Sequence, residues 1–152
     1  MYLDLDVTIR EMRGLDQEVW LGMYRKLWPK FSNEALLAEI GRINKSSKRS
    51  AFLAEANGQA VGFAEYGLRD YANGCNSQPV PFLEGVWVDE AYRGEGIARA
   101  LIEFLLMRAK RAGFVEFGSD VELSNYSSQL MHERLGFEQT EKVIYYRKVL
   151  EP

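Results

Sequence analysis

Apolar and polar positions change period several times along the chain, and each change marks an element. Val7-Thr8-Ile9-Arg10 alternates with a period of two, which predicts a short strand. Leu15, Val19, Met23 and Leu27 then recur every four residues, an apolar helical stripe that Pro29 stops. Ser32 or Asn33 is placed to cap a second helix with Leu36, Leu37, Ile40 and Ile43 on one face. A short basic loop over 45–49 leads into Ala51–Ala56 and Ala60–Leu68. These flank Asn57-Gly58, a two-residue hairpin signal. Residues 69–81 read as a loop holding Asn73-Gly74, Pro79 and Pro81, and connectors of that length are often functional.

Phe82–Val88 predicts a strand with Gly85 inside it, which marks a bulge or a close approach by a ligand. A strong helix follows, with Ala98, Leu101, Ile102, Leu105, Leu106 and Ala109 on one face and Gly113 placed to end it. Phe114–Val121 predicts another strand, Asn125–Leu135 a helix closed by Gly136, and Phe137–Val149 two closing strands. The order β-α-α-β-β-β-α-β-α-β-β predicts an α/β (α+β) fold, one domain over 1–152, with a mixed sheet covered by helices.

The chain has 152 residues, of which 47% are hydrophobic and 12% aromatic, enough for one core and too apolar for disorder. A net charge of −3 argues against a nucleic-acid binder, which needs a basic footprint. Cys75 is the single cysteine and His132 the single histidine, so no intrachain disulfide and no structural zinc site is expected. No apolar run approaches the roughly 20 residues that span a bilayer. The acidic start Met1–Asp6 does not read as a signal peptide. These features predict a cytoplasmic chain without metal or membrane partners.

The segment with the clearest chemistry is Val86-Trp87-Val88, then Arg93-Gly94-Glu95-Gly96-Ile97-Ala98-Arg99. A strand ends, a Gly-rich turn follows, and a helix begins. Free amides at the positive end of a helix dipole form a pyrophosphate cradle, to which Arg93 adds charge. A Walker loop is excluded because no Gly-Lys-Ser/Thr is present, and a dinucleotide fingerprint because Arg99 stands where its third glycine belongs. The remaining pattern, Arg-x-x-Gly-x-Ala at Arg93, Gly96 and Ala98, resembles the acyl-CoA loop of the GCN5-related N-acetyltransferases. Asn125, Ser128, Gly136 and Phe137 also fit that superfamily's later helix, with His132 where it usually carries tyrosine.

A narrower resemblance is carried by Leu27-Trp28-Pro29, Tyr71-x-Asn73-Gly74-Cys75, Pro79-Val80-x-Phe82-Leu83-Glu84-Gly85 and Ser119-Asp120. It continues in the run from His132 through Leu135-Gly136-Phe137-Glu138 to Tyr146-Arg147-Lys148. These stretches look like the aminoglycoside 6′-N-acetyltransferases. The resemblance implies acetyl-CoA as donor, a polycationic aminoglycoside as acceptor and a homodimer. It implies acyl-CoA contacts for Val86–Val88, Arg93–Arg99 and Asn125, and substrate contacts for Trp28, Tyr71, Glu84, Asp120 and Glu141.

The residue chemistry agrees. A polyammonium acceptor calls for carboxylates, and Glu116, Asp120, Glu122 and Glu133 follow one another with no Lys or Arg between 113 and 133. Glu84 is read as the one acid inside an apolar strand beside the expected cleft. It is the first choice as base for the attacking amine, with Asp120 second, and both can act by anchoring the cation. An amide near Val86–Val88, freed by a bulge, would hold the oxyanion. His132, of a type that titrates at about 6.5, is a candidate to protonate the leaving thiolate, as are Tyr145 and Tyr146. Covalent transfer through Cys75 is the alternative. Rival readings are a peptide-amine acetyltransferase, a CoA-binding regulatory module and an interaction domain.

Overall fold

The computed structural model describes residues 6–152; Met1–Leu5, most of the start read as no signal peptide, lie outside them. The strands are β1 (Val7–Glu11), β2 (Arg49–Ala56), β3 (Gln59–Arg69) and β4 (Val80–Val88). The helices are α1 (Gln17–Leu27), α2 (Asn33–Lys45), α3 (Ile97–Arg111) and α4 (Tyr126–Arg134). β1 to β4 pair antiparallel in chain order. The β2–β3 turn uses Asn57 at φ 52° and Gly58 at φ 77°, the left-handed pair that a tight hairpin needs. No helix among the described residues is long and apolar enough to cross a membrane.

Helices α1 and α2 cover one face of the sheet, where Trp20, Tyr24, Leu36, Ile40, Leu53, Phe63 and Trp87 are buried together. Helix α3 covers the other, burying Ile97, Leu101, Ile102 and Leu105 against Phe52, Ala64 and Leu83. Ser32 caps α2 by accepting the Ala35 N–H at 3.1 Å. The α1 stripe differs from expectation. Leu15 is wholly exposed and Val19 nearly half so, while Trp20, Met23 and Tyr24 are buried. The two large aromatics bury more apolar area than the Leu15–Val19 face would, and they set the rotation of the helix.

Two expected strand regions are not strands here. Phe114–Val121 meets the sheet only through a parallel bridge between Phe82 and Gly118. Leu83 N–H donates to the Gly118 carbonyl at 2.9 Å, and Gly118 N–H to the Pro81 carbonyl at 2.8 Å. The parallel part of the mixed sheet is this single contact. A Cβ on Gly118 would stand 2.8 Å from the Phe82 ring and 3.0 Å from Cys75 Sγ, so only glycine permits it. The expected closing strands over Phe137–Val149 form no ladder, and Ile144, Tyr145, Tyr146, Val149 and Leu150 are exposed. A strand forms only by pairing with an edge, and this segment pairs with none among the described residues.

Candidate active site

β4 carries the site because its pairing is irregular. Glu65 pairs with Gly85 and Tyr66 with Leu83, which leaves Glu84 without a partner on β3. The bulge lies at Glu84, two residues before the Val86–Val88 stretch expected from the sequence. It turns the Glu84 side chain over Gly67, where an added Cβ would come within 2.7 Å of the carboxylate. There Arg69 clamps Glu84 with two hydrogen bonds of 2.8 Å. The Arg69 guanidinium also lies 3.5 Å from the centre of the Phe82 ring. Beyond Leu83 no strand lies beside the outer edge of β4 among the described residues. Alternate amides along Gly85–Val88 therefore have no strand partner on that side.

The Gly-rich turn is built as expected. Gly94 and Gly96 adopt φ of 81° and 80°, which side chains disfavour. Ala100 N–H is the amide that closes onto the Gly96 carbonyl, so the amides of Ile97, Ala98 and Arg99 stand before the helical pattern begins. Arg93 is partly committed, its Nε donating to the Val88 carbonyl at 3.1 Å, which ties the turn to the end of β4. Arg99 pairs with Glu103 along α3 at 2.9 Å. Glu95 is half-buried in the turn. Asn125 caps α4 by accepting the Ser128 N–H at 3.1 Å.

On the α1 side Trp28, the C-cap of α1, packs edge-on to Tyr24 with ring centroids 4.9 Å apart. It reaches to 3.3 Å from where a Cβ on Gly85 would stand, so it borders the bulge. Glu84 and Asp120 share the field of Arg69, whose pKa is raised chiefly by its hydrogen bonds to Glu84. Tyr145 contributes to the same field. Tyr71 is exposed and lines an open hollow with Lys48, Arg69 and Asp70. Glu141 and Tyr146 are exposed in the terminal segment, and no hydrogen bond joins them to this cleft among the described residues.

Two acids behave unlike a substrate-binding carboxylate. Glu116 accepts the Ser77 hydroxyl at 2.6 Å, the Ser77 amide at 2.5 Å and the Asn76 amide at 2.9 Å. The Ser77 contacts hold its carboxyl below the usual range, and it staples the 70–79 loop in place. Glu65 was missed as a site residue. It is 2% exposed, its Oε1 has no hydrogen-bond partner, and Oε2 stands 3.9 Å from a Cβ on Gly85. Arg49, at 3.8 Å, is engaged by Glu39. Burial, and secondarily the Glu84 charge, pushes the Glu65 carboxyl up to about 8. Glu84 is thus not the one acid in an apolar strand: Val61-Gly62-Phe63-Ala64 before Glu65 carried the same signal.

Cys75 is disfavoured as a covalent nucleophile. Burial first, then the Glu116 charge, raises its thiol pKa. His132 is more engaged. Its Nε2 lies 2.7 Å from Ser119 Oγ and its Nδ1 2.7 Å from the Ser128 carbonyl oxygen.

A strand with an open outer edge, a left-handed Gly turn and a helix whose first amides are free suit an acyl-CoA pyrophosphate. The family model described as the acetyltransferase (GNAT) family matches residues 18–137. This chain belongs to the GNAT acetyltransferases. A curated relative from Salmonella enteritidis, an aminoglycoside N(6')-acetyltransferase type 1, is 42% identical over 143 residues, 93% of this chain and 99% of its own. Among solved structures, AAC(6')-Iy in complex with the bisubstrate analog CoA-S-monomethyl-acetylneamine has a TM-score of 0.89 and 40% identity. It is covered over 95% of this chain and 99% of its own. AAC(6')-Iy in complex with CoA has a TM-score of 0.90 at 39% identity, over 97% and 98% of the two chains.

Glu65 makes stability depend on pH. In the unfolded chain it ionises near 4.5, whereas in the fold it stays protonated up to about 8. The native state binds the extra proton in that window, so stability falls as pH rises through it. Glu65→Gln keeps the shape and removes the titration. Thermal or urea unfolding is expected to show the variant gaining stability over the parent as pH rises from 4.5 to 8, on the order of a few kcal/mol at the upper end. Parallel stability curves across that range would contradict a buried neutral Glu65.

Proposed function

We infer that this protein transfers the acetyl group of acetyl-CoA directly to the 6′-amine of an aminoglycoside, inactivating the antibiotic. The observation that carries the reading is the open edge of β4, with the Gly94–Gly96 turn after it and Trp28 and Glu84 at its bulge. The named activity of full-length relatives at about 40% identity supports the same substrates. Amides of Ile97, Ala98 and Arg99 receive the pyrophosphate, with Gly94 and Gly96 allowing it close to the main chain. Amides along Gly85–Val88 stabilise the oxyanion.

Among the acids the structure favours a division of labour. Glu84 already accepts both Arg69 donors, so we assign it to holding a substrate ammonium in place through its remaining lone pairs. Asp120 is exposed and within the field of Arg69, and we assign it to taking the amine's proton. Tyr71 and Trp28 supply aromatic walls to the sugar rings. A cytoplasmic location belongs to the same reading, because acetyl-CoA is available there and the single cysteine leaves no intrachain disulfide to protect.

The reading also includes a homodimer. The segment after Phe137 exposes Val143, Ile144, Tyr146, Val149 and Leu150, and no strand covers the outer edge of Phe114–Val121 among the described residues. A second copy that exchanges this terminal segment would pair both and bury that apolar surface.

Release of CoA thiol separates the rival readings, and we expect turnover with kanamycin well above that with a polyamine or a peptide amine. Glu84→Gln is expected to raise the aminoglycoside KM roughly tenfold to a hundredfold with little change in kcat, as loss of a charged contact would. Asp120→Asn is expected to lower kcat instead. The reverse pattern would exchange the two roles, and turnover with peptide amines alone would overturn the substrate. For the dimer, light scattering at assay concentration should give twice 17.4 kDa, and a monomer mass would remove that assignment.

A further inference from the structure

We infer that Ser119 is the residue that hands a proton to the leaving thiolate, relaying it from His132. The inference rests on the acetyltransferase reading above and concerns the side of the reaction that the carboxylates do not serve.

Ser119 directly follows Gly118, the one residue through which its segment touches β4. It therefore stands one residue past the point where its segment stops pairing with β4. Its hydroxyl lies 2.7 Å from His132 Nε2. The other ring nitrogen, Nδ1, lies 2.7 Å from the Ser128 carbonyl oxygen. A carbonyl only accepts, so Nδ1 carries the hydrogen, and in the neutral ring Nε2 is the lone pair that accepts the Ser119 O–H. The ring is further fixed edge-on to Phe137, with centroids 5.0 Å apart. Both nitrogens of His132 are engaged within the fold. A proton leaving the ring toward the opening passes through the Ser119 hydroxyl.

The balance of the step is simple. The amine nitrogen forms the C–N bond and loses its proton on the acceptor side. The C–S bond breaks and its electron pair stays on sulfur. With His132 protonated, Nε2–H donates to Ser119 Oγ and turns the hydroxyl hydrogen outward. Sulfur takes that hydrogen while Oγ takes the one from Nε2. Ser119 begins and ends as a hydroxyl, CoA leaves as a neutral thiol, and the ring ends neutral with Ser119 donating to it. That final arrangement fits the 2.7 Å contact between Ser119 Oγ and His132 Nε2. Water returns the proton to His132 before the next turnover.

A purely structural Ser119–His132 contact would tie α4 to the sheet and do nothing else, and two measurements separate the cases. In steady state with acetyl-CoA and kanamycin, Ser119→Ala and His132→Gln should each lower kcat by about 10²-fold, with both KM values near wild type. The double variant should be no slower than either single one, and Ser119→Thr, which keeps the hydroxyl, should recover most of the rate. A Ser119→Ala enzyme with near-normal kcat, a loss confined to KM, or additive losses in the double variant would overturn the relay. His132 is the only histidine, so its ring nitrogens can be read by 15N NMR without assignment. The neutral ring should carry its hydrogen on Nδ1, and the Nε2 signal should move in Ser119→Ala; an Nε2–H tautomer would overturn the relay whatever the rates. A wild-type chain that turns over no aminoglycoside would overturn the functional reading and the relay with it. An active wild type with indifferent Ser119 variants would overturn the relay alone.

Discussion

The contact between Phe82 and Gly118 governs the rest of the site. Pairing past β4 is confined to this contact, which leaves the amides of Gly85–Val88 without a strand partner on that side among the described residues. Phe82 is also the ring under the Arg69 guanidinium, and Arg69 is the clamp on Glu84. The junction that opens the cleft is thereby joined through two contacts to the carboxylate that faces the acceptor. Glu116 braces the same junction from outside, because it fixes the 70–79 loop whose Cys75 packs on Gly118. A change at Gly118 would disturb the opening, the loop and the Glu84 anchor together.

Much of this was legible in the residues. The Asn57-Gly58 hairpin, the Ser32 cap, the glycine-marked bulge in β4 and the turn before α3 are local features. Each is fixed by backbone constraints within a few residues, and each formed where those constraints require. What the sequence misplaced depends on partners far away in the chain. The periodicity of α1 offered two apolar faces, and only packing against Phe63 and Trp87 chooses the Trp20–Tyr24 side. The strand-like patterns of Phe114–Val121 and Phe137–Val149 record a β propensity that becomes a strand only on pairing, and among the described residues that pairing is limited to the Phe82–Gly118 bridge. The count of acidic residues also overstated the charge of the cleft. Glu116 is spent on amides, Glu65 is neutral and Glu84 is balanced by Arg69, which leaves Asp120 as an exposed carboxylate beside it.

The chemistry that results is divided across the opening. In the reaction we propose, Trp28, Glu84 and Asp120 would receive a cationic amine and take its proton, and Ser119 and His132 would supply one to the thiolate. The reacting carbonyl would meet main-chain amides, which carry no net charge and are not consumed by either proton transfer. Separation of the two proton paths lets a base and an acid operate in one small cleft without neutralising each other.

The claim on which all of this depends is that acetyl-CoA docks on the amides at the start of α3. Calorimetric titration of acetyl-CoA into Gly96→Asp, first shown by its melting curve to be folded, tests it most directly. The account predicts that affinity falls by about tenfold or more, since the new side chain places a negative charge at the positive end of the helix, where the pyrophosphate must sit. Unchanged affinity in the folded variant would contradict it.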